Sequence, residues 1–369
     1  MKALEAIDRW IFKTYEPCTG GLPLFRILFS VYLLVFHLPR YAWLAEMPHA
    51  FFQPPISLAM FFSGLPPGWF FYVLDFLLEL GALCLLFGIR TRFVSFAMFI
   101  ALIVGNSFRY SIGGKIDHDI LTPATLFCFA FTGWGNRLSR DDLCPPRSPR
   151  RNSPSWPIAF FLLIIGVCMF SAAYPKALTG WLNPHVCACR GQMIANNLLN
   201  VRPMPLADIL LQIHSTLFWK GADYSTLAIE GGFLFCLVSL PATRLIATFA
   251  TFFHVFVYFS MDIFFASNLA AYACLVDFRV LLLKLRMRRL VRRFHWLAHR
   301  ISLFHLVLLA LALLGFSALG HYWETEFFRI PDNLGAVIAL AIALTSLFYF
   351  LGAFADRSGL ICTHKKPAL

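Results

Sequence analysis

Residues 157–178 read PIAFFLLIIGVCMFSAAYPKAL, and the only charged side chain in that run is Lys176, near its end. A helix rises about 1.5 Å per residue and the hydrocarbon core of a bilayer is about 30 Å thick, so about 20 apolar residues cross it. The segment therefore reads as a spanning helix with a cation at one rim. The rest of the chain repeats the pattern. Of 369 residues 59% are hydrophobic and 14% charged, Phe alone occurs 41 times, and the mean hydropathy is +0.70, which excludes an ordinary soluble globular domain. The expected fold is all-α, a polytopic transmembrane helical bundle of about ten spans. They fall at about 22–44, 68–89, 93–109, 118–135, 157–178, 224–241, 245–261, 263–283, 301–320 and 335–354.

Lys and Arg concentrate in alternate connecting segments, most densely over Arg137–Arg151 and Arg279–Arg300. Basic residues are retained on the cytoplasmic side, so a multi-pass protein of the cell membrane with both termini cytoplasmic is expected. Orientation and headgroup anchoring account for the net charge of +12, and no nucleic-acid partner is expected. Three regions follow. Residues 1–21 form an amphipathic cytoplasmic lead-in carrying Leu4, Ile7, Trp10 and Ile11, without a cleavable signal. Residues 22–285 hold the chemistry-bearing spans, and residues 286–369 a basic loop, two further spans and a tail.

An ionisable side chain within a span costs roughly 2.5–3.5 kcal/mol on insertion scales and marks a functional candidate. Three stand at one expected depth, the outer end of their spans: His118, Lys176 and His254. His118 belongs to Gly113-Gly114-Lys115-Ile116-Asp117-His118-Asp119, where Asp117 either fixes an imidazole tautomer or caps the helix. Pro175 bends or ends the helix just before Lys176, which acts either as a desolvated general base or as a snorkelling residue beside Tyr174 and Trp181. His254, with Tyr258 one turn on, is either a packing residue or part of a site. Glu230 is placed to neutralise Lys176 or orient a histidine, and Gly231 and Gly232 after it permit close helix approach. On the second span, Glu79 reads as a structural partner for a Ser, an Asn or Arg26. His185, Cys187 and Cys189 lack the paired spacing of a structural zinc site, and no metal is expected.

Three stretches carry a family resemblance: GGKIDHDILTPATLFCFAFTGWGNRLSRDD at 113–142, SAAYPKALTGWL at 171–182 and FFHVFVYFSMDIFFASNLAAYACLVDF at 252–278. In order and spacing they resemble the landmarks of the HTTM family, the membrane module shared with vitamin K-dependent gamma-carboxylase. The resemblance implies that His118, Lys176 and His254 are catalytic residues at a site for a reduced quinone, which serves as cofactor. It also implies oxidoreductase or lyase chemistry, in which the lysine deprotonates the quinol and reaction with oxygen then yields a strong base. Glu230, Tyr258, Asp117 and Trp181 are the further residues expected to line that pocket. The chain lacks a large extramembrane peptide-binding domain, and Pro175 stands where the carboxylase motif has a second basic residue, so peptide carboxylation is not expected. The expected function is proton abstraction by Lys176 from a quinol or lipid in an outward-facing pocket. The alternative is a non-catalytic carrier of lipids or quinones.

Overall fold

The computed structural model describes residues 2–113, 120–139, 154–199, 204–263, 265–276 and 300–322, together with residues 278, 293 and 296–297. Every regular element among them is helical. The chain forms two compact units, one of residues 2–161 with the described residues from 273 onward, the other of residues 162–272.

Five helical segments among the described residues are long and apolar enough to cross a membrane: Ala3–Phe36, Gly68–Phe87, Thr91–Ile112, Trp156–Trp181 and Leu240–Met261. The protein is an all-α, multi-pass membrane protein, and the expected ten spans are corrected to five among the described residues. The reasons are local. The expected span at 118–135 is the ten-residue helix α5 (Leu121–Ala130), which ends in a run of turns through Gly133 and Gly135. The one at 224–241 begins earlier, at Thr216, and so takes in Lys220 and Asp223 besides Glu230. At 263–283 a short helix passes into a 3-10 turn, Ala273–Leu275. At 301–320 a helix runs over Leu303–Tyr322, of which Leu303–Gly315 counts as a shorter apolar helix, and 335–354 lies outside the described residues.

In the first unit the lead-in does not end before the first span. Helix α1 (Lys2–Phe12) continues through a 3-10 turn (Glu16–Gly21) into α2 (Leu22–Tyr32) and a π turn (Leu33–His37). Arg26 on α2 is fully buried and donates to the carbonyls of Trp134 and Leu138 at 3.0 and 2.5 Å, closing the chain that follows α5. Phe25, Phe29, Phe129 and Trp134 pack around it. Glu79 on α3 (Gly68–Phe87) pairs with Arg40, which corrects the expected alternatives of Ser, Asn or Arg26. Asp75, one turn earlier, accepts from the N–H groups of Tyr41 and Ala42 at 2.7 and 3.1 Å. Both carboxylates thus pin the chain that enters α3 rather than forming a site. Helix α4 (Thr91–Gly113) follows after a tight reversal at Gly88.

The second unit is built from the bulk of α6 (Trp156–Lys176), α7 (Ala188–Leu199), α8 (Pro205–Leu211), α9 (Thr216–Phe235), α10 (Leu240–Met261) and α11 (Ala266–Tyr272). Its apolar core joins Cys189 and Met193 of α7, Met204, Ala207 of α8, Trp219 of α9 and Val257 and Met261 of α10. Close approach of α6 to α9 occurs at Gly166, where an added Cβ would lie 3.0–3.2 Å from Leu237 and Leu234. At Gly231 the same atom would meet Ala173 at an ordinary 3.7 Å, and at Gly232 nothing within 4 Å, so the expected role of that pair in close packing is not what the helices use.

Gly88 shows how narrow the tolerances are. It ends α3 in the left-handed conformation, φ +70°, and a Cβ there would sit 2.2 Å from the Cβ of Ser139 and 2.8 Å from Nη1 of Arg26. The left-handed conformation alone costs a residue with a Cβ roughly 1–2 kcal/mol, and the clash adds to it. Gly88→Ala is therefore expected to lower the unfolding temperature in detergent by several degrees, measured by scanning calorimetry or static light scattering.

Candidate functional site

Lys176 is the last residue of α6. Pro175 removes one backbone donor, and the chain leaves the helix through a π turn, Ala177–Trp181, with Gly180 at φ +95°. That turn swings Trp181 back over the lysine, its ring centre 5.2 Å from Nζ. On α9, Glu230 receives Nζ through both carboxylate oxygens, at 2.5 and 2.7 Å. Glu230 is almost entirely enclosed while Lys176 keeps 28% of its side chain exposed. The pair is thus dry on the acid side and open on the amine side.

His254 on α10 is 3% exposed. Its Nε2 lies 3.1 Å from the hydroxyl of Tyr272 on α11, and the two rings are nearly parallel, at 13°. Phe265 covers the imidazole at 4.4 Å. Among the described residues Nδ1 has no hydrogen-bond partner, an orphaned polar atom in an apolar shell. Tyr272 in turn stacks on Phe233 of α9, one turn beyond Glu230, and its hydroxyl lies 3.9 Å from the sulfur of Met169 on α6. Four helices therefore carry two polar groups, Lys176 with Glu230 and Trp181, and His254 with Tyr272, which adjoin through Phe233 on α9 and Met169 on α6. Tyr258 is half-buried, one turn past His254, with its ring edge-on to Phe259. His118 and Asp117 lie outside the described residues.

Tyr272 and Met169 were not singled out in the sequence. The usable signal was the hydroxyl of a tyrosine in an otherwise apolar stretch, which must find a partner when buried. Lys220 and Asp223 were missed as well, and they form a second ion pair on α9. Lys220 Nζ donates to Asp223 at 2.9 Å, to the carbonyl of Trp181 at 2.7 Å and to that of Val186 at 2.9 Å, which uses all three of its donors. Asp223, fully buried, accepts from the N–H groups of Ala188 and Cys189 at 3.1 and 2.7 Å, and so caps the start of α7 from outside the helix. Cys189 is a small core residue: burial, together with the adjacent Asp223, pushes its thiol up to about 12, and its sulfur lies 3.7 Å from the Thr226 hydroxyl. Among the described residues no group of three His, Cys, Asp or Glu side chains is arranged to hold a metal ion.

Comparison with protein-family models, curated proteins and solved structures finds no match for this chain.

Removing one member of a buried ion pair costs about 3–5 kcal/mol, because the other charge is left uncompensated. Lys220→Met should accordingly destabilise the protein by that order and lower its unfolding temperature markedly, whereas Lys220→Met with Asp223→Asn should recover part of the loss. Burial opposes ionisation of Asp223, but the hydrogen bonds from Lys220 and from Cys189 and Ala188 outweigh it and hold its carboxyl below the ordinary 3.8. A depressed carboxyl contributes stability that is present above the ordinary value and is lost as pH falls through the lower folded value. Wild type should therefore lose this contribution only below about pH 4, and the double variant should show a flatter acid limb in the same scan.

Proposed function

We propose that the unit of residues 162–272 binds a reduced quinone, or a lipid of the same amphiphilic chemistry, and removes a proton from it with Lys176. The observation that carries this reading is the asymmetric ion pair: a carboxylate enclosed on α9 and an amine still open at the end of a candidate span, with an indole face beside it. A hydroquinone supplies a phenolic hydroxyl and two reducing electrons when bound. The residues present fit such a group, since a basic amine, an orphaned imidazole nitrogen and the flat faces of Trp181 and Phe265 suit polar ring substituents and an apolar ring.

In this reading Glu230 holds Nζ through both carboxylate oxygens, and the open flank of the amine takes the quinol hydroxyl. His254, steadied through Nε2 by Tyr272, keeps Nδ1 to give or take one further hydrogen bond, and the stacked rings exclude water. The same reading sets the Lys176 end of α6 outward, on the strength of Arg147, Arg150 and Arg151 immediately before α6.

Hydroquinone-dependent oxygen consumption by the purified protein in nanodiscs tests the reading. Lys176→Ala is expected to reduce turnover by about 10²-fold or more with quinol binding largely retained, because a general base acts on the barrier. Lys176→Arg should fail equally, since a guanidinium keeps its proton. Lys176→Met with Glu230→Gln removes both charges together, and it should fold as wild type yet remain inactive. Wild-type rates in either single variant would show that Lys176 is not the base. Binding without turnover in wild type, for every quinol tried, would assign the site to a carrier.

A further inference from the structure

We propose that the segment joining α2 to α3, residues 47–67, is a lipid-inserted wedge that lies at the headgroup–acyl boundary of the leaflet where α3 begins. It is independent of the two polar groups. From Met47 through Leu74 the sequence contains no Asp, Glu, Lys or Arg. The segment is not a spanning helix, and is made of the 3-10 turns His49–Phe51 and Leu58–Phe61 with extended chain around them. Its apolar side chains nevertheless face outward: Ile56 is 96% exposed and Phe61 80%, and Phe51, Met60 and Phe62 are each more than half exposed. An apolar patch of this kind on a soluble surface invites aggregation or marks a contact site.

The occupant follows from continuity. The segment runs directly into α3, a candidate span, whose Trp69, Tyr72 and Val73 are exposed on its first two turns. Trp and Tyr concentrate at the headgroup level, so Trp69 and Tyr72 mark that level at the start of α3, and the preceding residues are held beside it. The absence of charge argues against a soluble partner recognised through ion pairs, and in favour of a lipid surface.

The backbone is also prepared for low-polarity surroundings, where an open N–H is costly. Pro48, Pro54, Pro55, Pro66 and Pro67 carry no N–H. Those of Phe51, Phe52, Met60 and Phe62 close turns on the carbonyls of Pro48, His49, Ser57 and Ala59 at 3.0–3.2 Å, and Gln53 donates to the carbonyl of Ser111 at the end of α4, 2.7 Å away. Gln53 and the ring of Phe62, edge-on to Phe108 at 5.2 Å, tie the segment to α4. A segment fixed on its inner side and apolar on its outer side is built to press into lipid.

The test uses the full chain in phosphatidylcholine vesicles, with an NBD fluorophore attached at Ile56→Cys or Phe61→Cys, and labelled wild type as the background from native cysteines. His185→Cys, on an exposed residue between α6 and α7, serves as the water-exposed reference. Labels at 56 and 61 should emit several-fold more strongly than the reference, be quenched by lipids carrying a nitroxide at a shallow acyl position, and resist aqueous iodide. Iodide quenching equal to that of the reference would overturn the proposal. So would protection from both quenchers, which would mean that protein, a second copy or another chain, covers the segment. Each labelled variant must first elute with wild type in detergent, and if one fails to, the other decides.

Discussion

A charge carried into apolar helices must bring its counter-charge with it, and the Lys220–Asp223 pair is where this chain meets that demand most completely. Every donor of Lys220 is used, and Asp223 holds two N–H groups of another helix. The pair is therefore a staple between the start of α9 and the chain from Trp181 to Cys189. One of its bonds falls on the carbonyl of Trp181, the residue whose ring faces Lys176. The candidate site inherits its geometry from a fully satisfied pair that has no exposed face of its own, and the Lys176–Glu230 pair, left partly open, is free to interact with something else.

The first unit solves the same problem differently. Arg26 is fully buried and donates to two backbone carbonyls of the chain that follows α5. Glu79 takes Arg40, and Asp75 takes two backbone donors from the chain that enters α3. Each buried charge thus fastens a connection instead of marking a reaction centre, so intramembrane charge alone does not separate function from architecture. Exposure does: Lys176 keeps an open flank and Arg26 does not.

This difference governs what the sequence disclosed. The spans at 68–87, 156–176 and 240–261 were legible because long apolar runs have few other uses, and Lys176, Glu230 and Trp181 stood out as polar or aromatic marks within or beside such runs. The helix at 216–235 was placed too late in the chain because a hydropathy window passes over Lys220 and Asp223, whose charges cancel only in three dimensions. Tyr272 was hidden for a related reason: its role is defined by His254, 18 positions away on another helix. The partner of Glu79 was misjudged because Arg40 lies just beyond the first span, where basic residues are ordinarily assigned to the surface.

The five residues Ala177–Trp181 carry the chain out of α6 through a kink, with non-helical backbone at Thr179 and at Gly180, whose φ is +95°. Removing any one of them would shift every residue after the kink by one position relative to Lys176 and Lys220. Trp181 would then leave the face of Lys176, and its carbonyl would leave Lys220. The segment looks like a surface connection and has the composition of one, yet its length is fixed to the residue. Deletions and insertions there are less tolerable than most substitutions, and chain length in this turn acts as a specificity determinant in its own right.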